Sequence, residues 1–100
     1  MRKFTKKEVE ILNRHAKWLR SEDGGERADL TRASLTGANL FEASLSRADL
    51  TGANLYGADL TEAELTGAKL TGADLTWAKL TEAKLTGAKF IPGWKIVKDE

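Results

Sequence analysis

From Ala28 to Ala88 an alanine stands at every fifth position, and a large apolar residue follows each one two places later. Leucine fills that second place from Leu30 to Leu85, and Phe90 fills the last, so thirteen units run in one register. A spacing of five rotates each step by roughly 140° about an α-helix and would scatter the leucines around the axis. A straight strand fails as well, because an odd spacing sends successive leucines to opposite faces. Within one unit, however, Ala28 and Leu30 are two apart, so an extended segment points both the same way and Asp29 the other. Each unit is therefore a short extended side followed by a corner. The corner falls at the last position, where Gly37, Gly52, Gly57, Gly67, Gly72 and Gly87 supply turn dihedrals with little strain. Repeated turning in one direction winds the chain into a solenoid with every alanine and leucine inside. Those residues form the core, and none of them is a functional candidate.

Units such as Ala38-Asn39-Leu40-Phe41-Glu42, Ala48-Asp49-Leu50-Thr51-Gly52 and Ala58-Asp59-Leu60-Thr61-Glu62 resemble the Ala-Asp/Asn-Leu-x-x motif of pentapeptide-repeat proteins. The resemblance extends over 64 of the 100 residues. It implies a right-handed quadrilateral β-helix of about three coils, four units to a coil, with leucine at the centre of each side. At a spacing of twenty, outward charges pair oppositely in Asp49/Lys69, Asp59/Lys79 and Glu64/Lys84, but alike in Asp29/Asp49 and Lys69/Lys89. The number four therefore rests on the resemblance.

An open solenoid exposes an apolar cross-section and unpaired backbone groups at each end, so both ends need covering. Thr5-Lys6-Lys7-Glu8 matches a capping box, with Phe4 and Val9 placed as a hydrophobic staple, and predicts a helix starting at Lys6. Its stripe of Val9, Leu12, Ala16 and Leu19, widened by Ile11 and Trp18, makes residues 1–25 an amphipathic lid, closed by Asp23-Gly24-Gly25. Residues 26–91 are the β-helix. Pro92-Gly93 breaks the register, and residues 92–100 form a C-terminal cap or tail. Phe90, Trp94 and Ile96 are its expected end-cap or dimer contacts.

Sixteen Lys plus Arg against fifteen Asp plus Glu leave a net charge of +1, which points to neither a polyanion-coating nor an acidic protein. With no cysteine there is no disulfide framework, thiol catalysis or cysteine-based zinc site, and a reducing compartment fits. Charged Thr5–Glu8 stands where a signal peptide needs an apolar stretch, and no apolar run is long enough to span a membrane. The expected location is the cytoplasm, with no membrane association. His15, the single histidine, lies between Arg14 and Lys17 and reads as a surface or cap residue, because a catalytic or ligand role lacks partners. Neither a catalytic constellation nor a cofactor or metal site is expected.

The outward positions carry the remaining candidates. Glu42, Glu62 and Glu82 are spaced by twenty and would form one column on a four-sided coil, either a solvated edge or a site for a cation or basic partner. Phe41, Tyr56 and Trp77 are outward aromatics, and the four-sided register sets Tyr56 over Thr76, beside Trp77. Charge is uneven, with a net of −4 from Ala28 to Leu65 and +2 from Thr66 to Ile91.

These features point to a non-enzymatic scaffold for protein–protein interaction, with an unidentified protein partner or a homodimer through a solenoid end. The resemblance suggests a second reading, a DNA-mimic inhibitor of DNA gyrase or a related topoisomerase, although such mimicry needs a longer and more acidic rod. Direct nucleic-acid binding is disfavoured, since Lys69, Lys79, Lys84 and Lys89 are interrupted by acids and lack a recognition motif. The regularity of the repeat leaves a consensus-like or designed solenoid with no dedicated partner as a further alternative.

Overall fold

Every β-bridge among the described residues joins residues twenty apart. The computed structural model describes residues 3–90, and within them Asp29 pairs in parallel with Asp49, Ser34 with Asn54, Asn39 with Asp59 and Ser44 with Glu64. The series continues to Lys69 with Lys89. Twenty residues are four five-residue units, so the chain returns above itself after four sides. Each bridging residue is the polar one between alanine and leucine, flanked by two ladder bonds. The Leu30 amide donates to the Asp49 carbonyl at 2.8 Å, and the Asp49 amide donates to the Ala28 carbonyl at 3.0 Å. A side is too short for a longer strand, so the bridges stand singly.

The corner is a four-residue turn. The Ala33 amide donates to the Leu30 carbonyl at 3.0 Å, and the same bond recurs in every unit up to Ala88 with Leu85. Its third residue lies at positive φ at each corner from Arg32 to Gly87, with values from 57° to 72°. That is the dihedral a type II turn reserves for glycine. The preference for glycine is therefore real, yet Arg32, Glu42, Arg47, Glu62, Trp77 and Glu82 adopt it too.

Leucine and alanine meet on the axis as the five-residue period requires. Leu45, Leu50, Leu55, Leu60 and Leu65 are fully buried together with Ala48, Ala53, Ala58, Ala63 and Ala68. Burial weakens past Leu70, and Leu75, Leu80, Leu85 and Phe90 are only half-buried. The expected end of the β-helix at Ile91 and the tail 92–100, with Trp94 and Ile96, lie outside the described residues.

Helix α1 spans Lys6–Leu19 and starts where the capping box predicts. The Glu8 amide donates to Thr5 Oγ1 at 3.1 Å, and the Thr5 amide donates to Glu8 Oε1 at 2.9 Å. The helix lays Ile11 and Leu12, together with Phe4, against the leucine core. The expected stripe needs correction at its first member, because Val9 is exposed while Phe4 turns inward to the core. The face that docks runs through Ile11, Leu12 and His15, one helical step around from the face that would include Val9.

Candidate functional site

Because the repeat turns its alanines and leucines inward, its side-chain chemistry lies at the outward positions. The turn places Phe41 and Tyr56 at the first corner residue and Trp77 at the second, where all three are exposed. Trp77 is 79% exposed, the most open large apolar side chain among the described residues, and its backbone sits at φ 60°. Gly57 and Gly37 occupy the equivalent corners twenty and forty residues earlier, so the indole stands above a column with no side chains. The Gly57 amide donates to the Thr76 carbonyl at 2.9 Å, which sets Tyr56 and Trp77 in neighbouring coils on one edge, as the twenty-residue register predicts. Phe41 lies at the next corner of the first coil.

Glu42, Glu62 and Glu82 likewise occupy one corner column, all at positive φ. With Ser44, Glu64 and Lys84 they line an open groove of about 570 Å³. Lys84 Nζ lies 4.0 Å from Glu64 Oε2, and both side chains are about half exposed or more, so this contact stabilises little. Among the described residues no group of three or more His, Asp or Glu is arranged to hold a metal ion.

The polar residues between alanine and leucine act on their own chain. Asp29, Asp49, Asp59 and Asp74 each accept from the amide two residues on, as do Asn39 and Asn54. The threonine hydroxyl and amide hold these four carboxyls below the usual aspartate range. Lys69 above Asp49 and Lys79 above Asp59 act in the same direction more weakly.

His15 is placed by α1 against the first coil, and it is the one fully buried polar side chain among the described residues. The Ala28 amide donates to its Nδ1 at 2.9 Å, and Nε2 lies 3.0 Å from the Ser46 carbonyl. Trp18 stacks on the imidazole with ring centroids 5.5 Å apart, and the Arg47 guanidinium lies 5.8 Å from the Trp18 ring. His15 is therefore not the surface residue that one reading of the sequence allowed. The Ser46 carbonyl and the Trp18 and Arg47 partnership were not legible there. Their only trace is that His15 follows Ile11 and Leu12 by four and three residues, on the same helical face.

The Pentapeptide repeats family matches residues 28–67 and 58–91, with eight copies. The chain belongs to the pentapeptide-repeat family. Solved pentapeptide-repeat proteins share its fold, a right-handed β-helix. One from the cyanobacterium Cyanothece 51142 is 40% identical with a TM-score of 0.65, over 68% of this chain and 46% of its own. HetL from Nostoc sp. strain PCC 7120, described as involved in heterocyst differentiation regulation, is 42% identical with a TM-score of 0.58. That match covers 61% of this chain and 29% of HetL. This pentapeptide-repeat chain thus spans less than half the length of either relative. No curated protein matches it.

Among the described residues no helix is long and apolar enough to cross a membrane. The outward ladder of this pentapeptide-repeat coil changes sign along its axis, from Asp29 and Asp49 to Lys69 and Lys89. A uniformly acidic DNA-like face is therefore absent on that side, and nothing supports the topoisomerase reading.

Proposed function

We propose that this pentapeptide-repeat chain is a non-catalytic cytoplasmic scaffold that binds a protein partner through the corner edge bearing Tyr56 and Trp77, with Phe41 and the Glu42/Glu62/Glu82 column beside it. The observation that carries this reading is Trp77. A nearly free indole at positive φ, where its column neighbours are glycine, meets neither the needs of the core nor those of the turn. Tryptophan and tyrosine anchor protein interfaces because they bury much area with few rotatable bonds. HetL, a regulatory protein by its description, supports a role without catalysis.

The test is crosslinking capture by the wild type and by the double variant Trp77→Gly/Tyr56→Thr, with the β-helix verified by circular dichroism. A partner retained by the wild type and lost at least tenfold by the variant is the expected result. Equal capture by both proteins, or turnover of a metabolite by the wild type, overturns it.

A homodimer through the C-terminal end is the second reading. The half-burial of Leu75, Leu80, Leu85 and Phe90 supports it, because the central coils leave their leucines no exposure. Light scattering coupled to size-exclusion chromatography, repeated on Trp94→Ala, tests it. A monomeric mass for the wild type sinks the dimer.

A further inference from the structure

The first coil has no coil beneath it, so its lower backbone edge must find partners elsewhere. In the stacked coils the carbonyl of a residue such as Thr66 accepts from the amide nineteen residues earlier, that of Arg47, at 2.9 Å. Ser46 is the matching residue of the first coil, and its carbonyl faces His15 Nε2 instead. Ala28, which opens that coil, directs its amide at His15 Nδ1. One imidazole therefore substitutes for backbone on both sides of the coil's entry point.

The two bonds admit a single protonation state. A backbone amide can only donate, so Nδ1 must carry a lone pair; a carbonyl can only accept, so Nε2 must carry the proton. Adding a proton at Nδ1 places two N–H groups head to head at 2.9 Å, and turning the ring over sets the carbons Cδ2 and Cε1 against the two partners in place of the nitrogens. The Ser46 carbonyl and the face of Trp18 favour the imidazolium, but burial and the nearby cations oppose it. Arg27 on the linker and Arg47 on the first coil are cationic, and Trp18 covers the ring on its own helix. Arg14 and Lys17 flank it in sequence, and the nearby Glu26 and Glu10 are held by Arg14 at 2.9 and 3.0 Å.

We propose that His15 is a proton-operated latch: neutral, it fastens α1 to the first coil, and protonated, it releases the helix and uncovers the end of the β-helix. Burial, and more weakly Arg27, push the His15 pKa down, against the opposing bond to Ser46. The bound helix thus disfavours the proton, and acidification favours the released one. Asp29 and Asp49 lie below the usual aspartate range, so they keep their charge while His15 titrates. Without the latch α1 keeps the contact of Phe4, Ile11 and Leu12 with the core, the Glu26 amide on the Arg14 carbonyl at 3.0 Å, the Arg14–Glu26 ion pair and the Arg47 guanidinium beside Trp18.

Nuclear magnetic resonance on the full chain tests this directly, since His15 is the only histidine. The expected result is an Nε2-protonated ring that titrates below the ordinary value of about 6.5. Over that interval α1 amides lose exchange protection, the opening constant rising by up to about tenfold per pH unit, while amides from Leu50 to Leu65 keep theirs. Titration at or above the ordinary value, unchanged protection of α1, or joint loss from helix and solenoid overturns the latch. His15→Gln supplies the second arm, because its side chain does not titrate. Whether it docks α1 or leaves it free, protection of the helix must be flat between about pH 7 and pH 5, and a retained wild-type pH dependence overturns the proposal.

Discussion

The Oδ1 atom of Asp49 accepts two hydrogen bonds from Thr51, from the amide at 3.1 Å and from the hydroxyl at 2.6 Å. The pairing spans the leucine between them and leads the chain into its corner, so the acid closes the turn rather than bridging to Lys69 above. Because the contact favours the ionised carboxylate, it links the fold to pH. The folded pKa values of Asp29, Asp49, Asp59 and Asp74 lie below the unfolded ones. Their contribution is complete above the unfolded aspartate range and is lost as pH falls through the folded values. The urea midpoint should therefore fall between about pH 5 and pH 2. Asn39 and Asn54 make the same amide contact without a charge. The quadruple Asp→Asn variant should accordingly fold with a flatter acid limb, and an unchanged acid limb would remove these aspartates from the account.

Corner substitutions should move stability in opposite directions according to what occupies the positive-φ position. At Trp77 the left-handed backbone costs a non-glycine residue about 1 kcal/mol, and its exposed ring gains little from the fold. Trp77→Gly should raise stability by roughly 0.5–1 kcal/mol. Gly52 has φ 68°, and a Cβ there would stand 3.2 Å from Arg32 Cγ in the coil below. Gly52→Ala should lower stability by about 1–2 kcal/mol. Chemical denaturation of both variants checks the pair, and equal shifts of one sign would contradict the turn argument.

The five-residue period carried the architecture because each position has one task. Alanine and leucine are buried, aspartate or asparagine closes the turn, and the last residue takes positive φ. Even the positive φ of Trp77 and Glu62 follows from the register, since both align with glycines elsewhere in the repeat. The non-repetitive end was less legible. The capping box placed the start of the helix at Lys6, but an apolar stripe broader than the contact face could not say that Val9 would be left out. His15 shows a different limit. Its partners are main-chain groups of Ala28 and Ser46, and a carbonyl looks the same in every sequence.

The column of Glu42, Glu62 and Glu82 sets like charges above one another at successive coils. Directly opposed like charges destabilise a sheet pair by a few tenths of a kcal/mol, and salt screens the effect at exposed sites. Glu62 is the middle member, so Glu62→Lys should raise the denaturation midpoint at low ionic strength by roughly 0.3–1 kcal/mol. The gain should shrink in about 1 M salt, where the screening length falls to about 3 Å. A loss of stability at low salt would mean that the three carboxylates share a stabilising partner.

The seat of α1 depends on a contact that permits no side chain. Gly25 passes so close to the end of the helix that a Cβ would overlap the Trp18 amide nitrogen and lie 2.7 Å from Trp18 Cα. All the nearest atoms are backbone, so no rotamer change can make room. Gly25 also leads into the Glu26 amide, which donates to the Arg14 carbonyl, and two residues later into Ala28, which donates to His15. A shift of the linker there breaks the alignment of both bonds. Gly25→Ala should cost about 1–3 kcal/mol, the usual range for overpacking. The loss should fall on α1 alone, as reduced helical circular dichroism and a red-shifted Trp18 emission in a background with Trp77 and Trp94 replaced by Phe. The amide protection of Leu50 to Leu65 should stay at the wild-type level. If α1 remains as protected in Gly25→Ala as in the wild type, the linker is not what holds the helix in place.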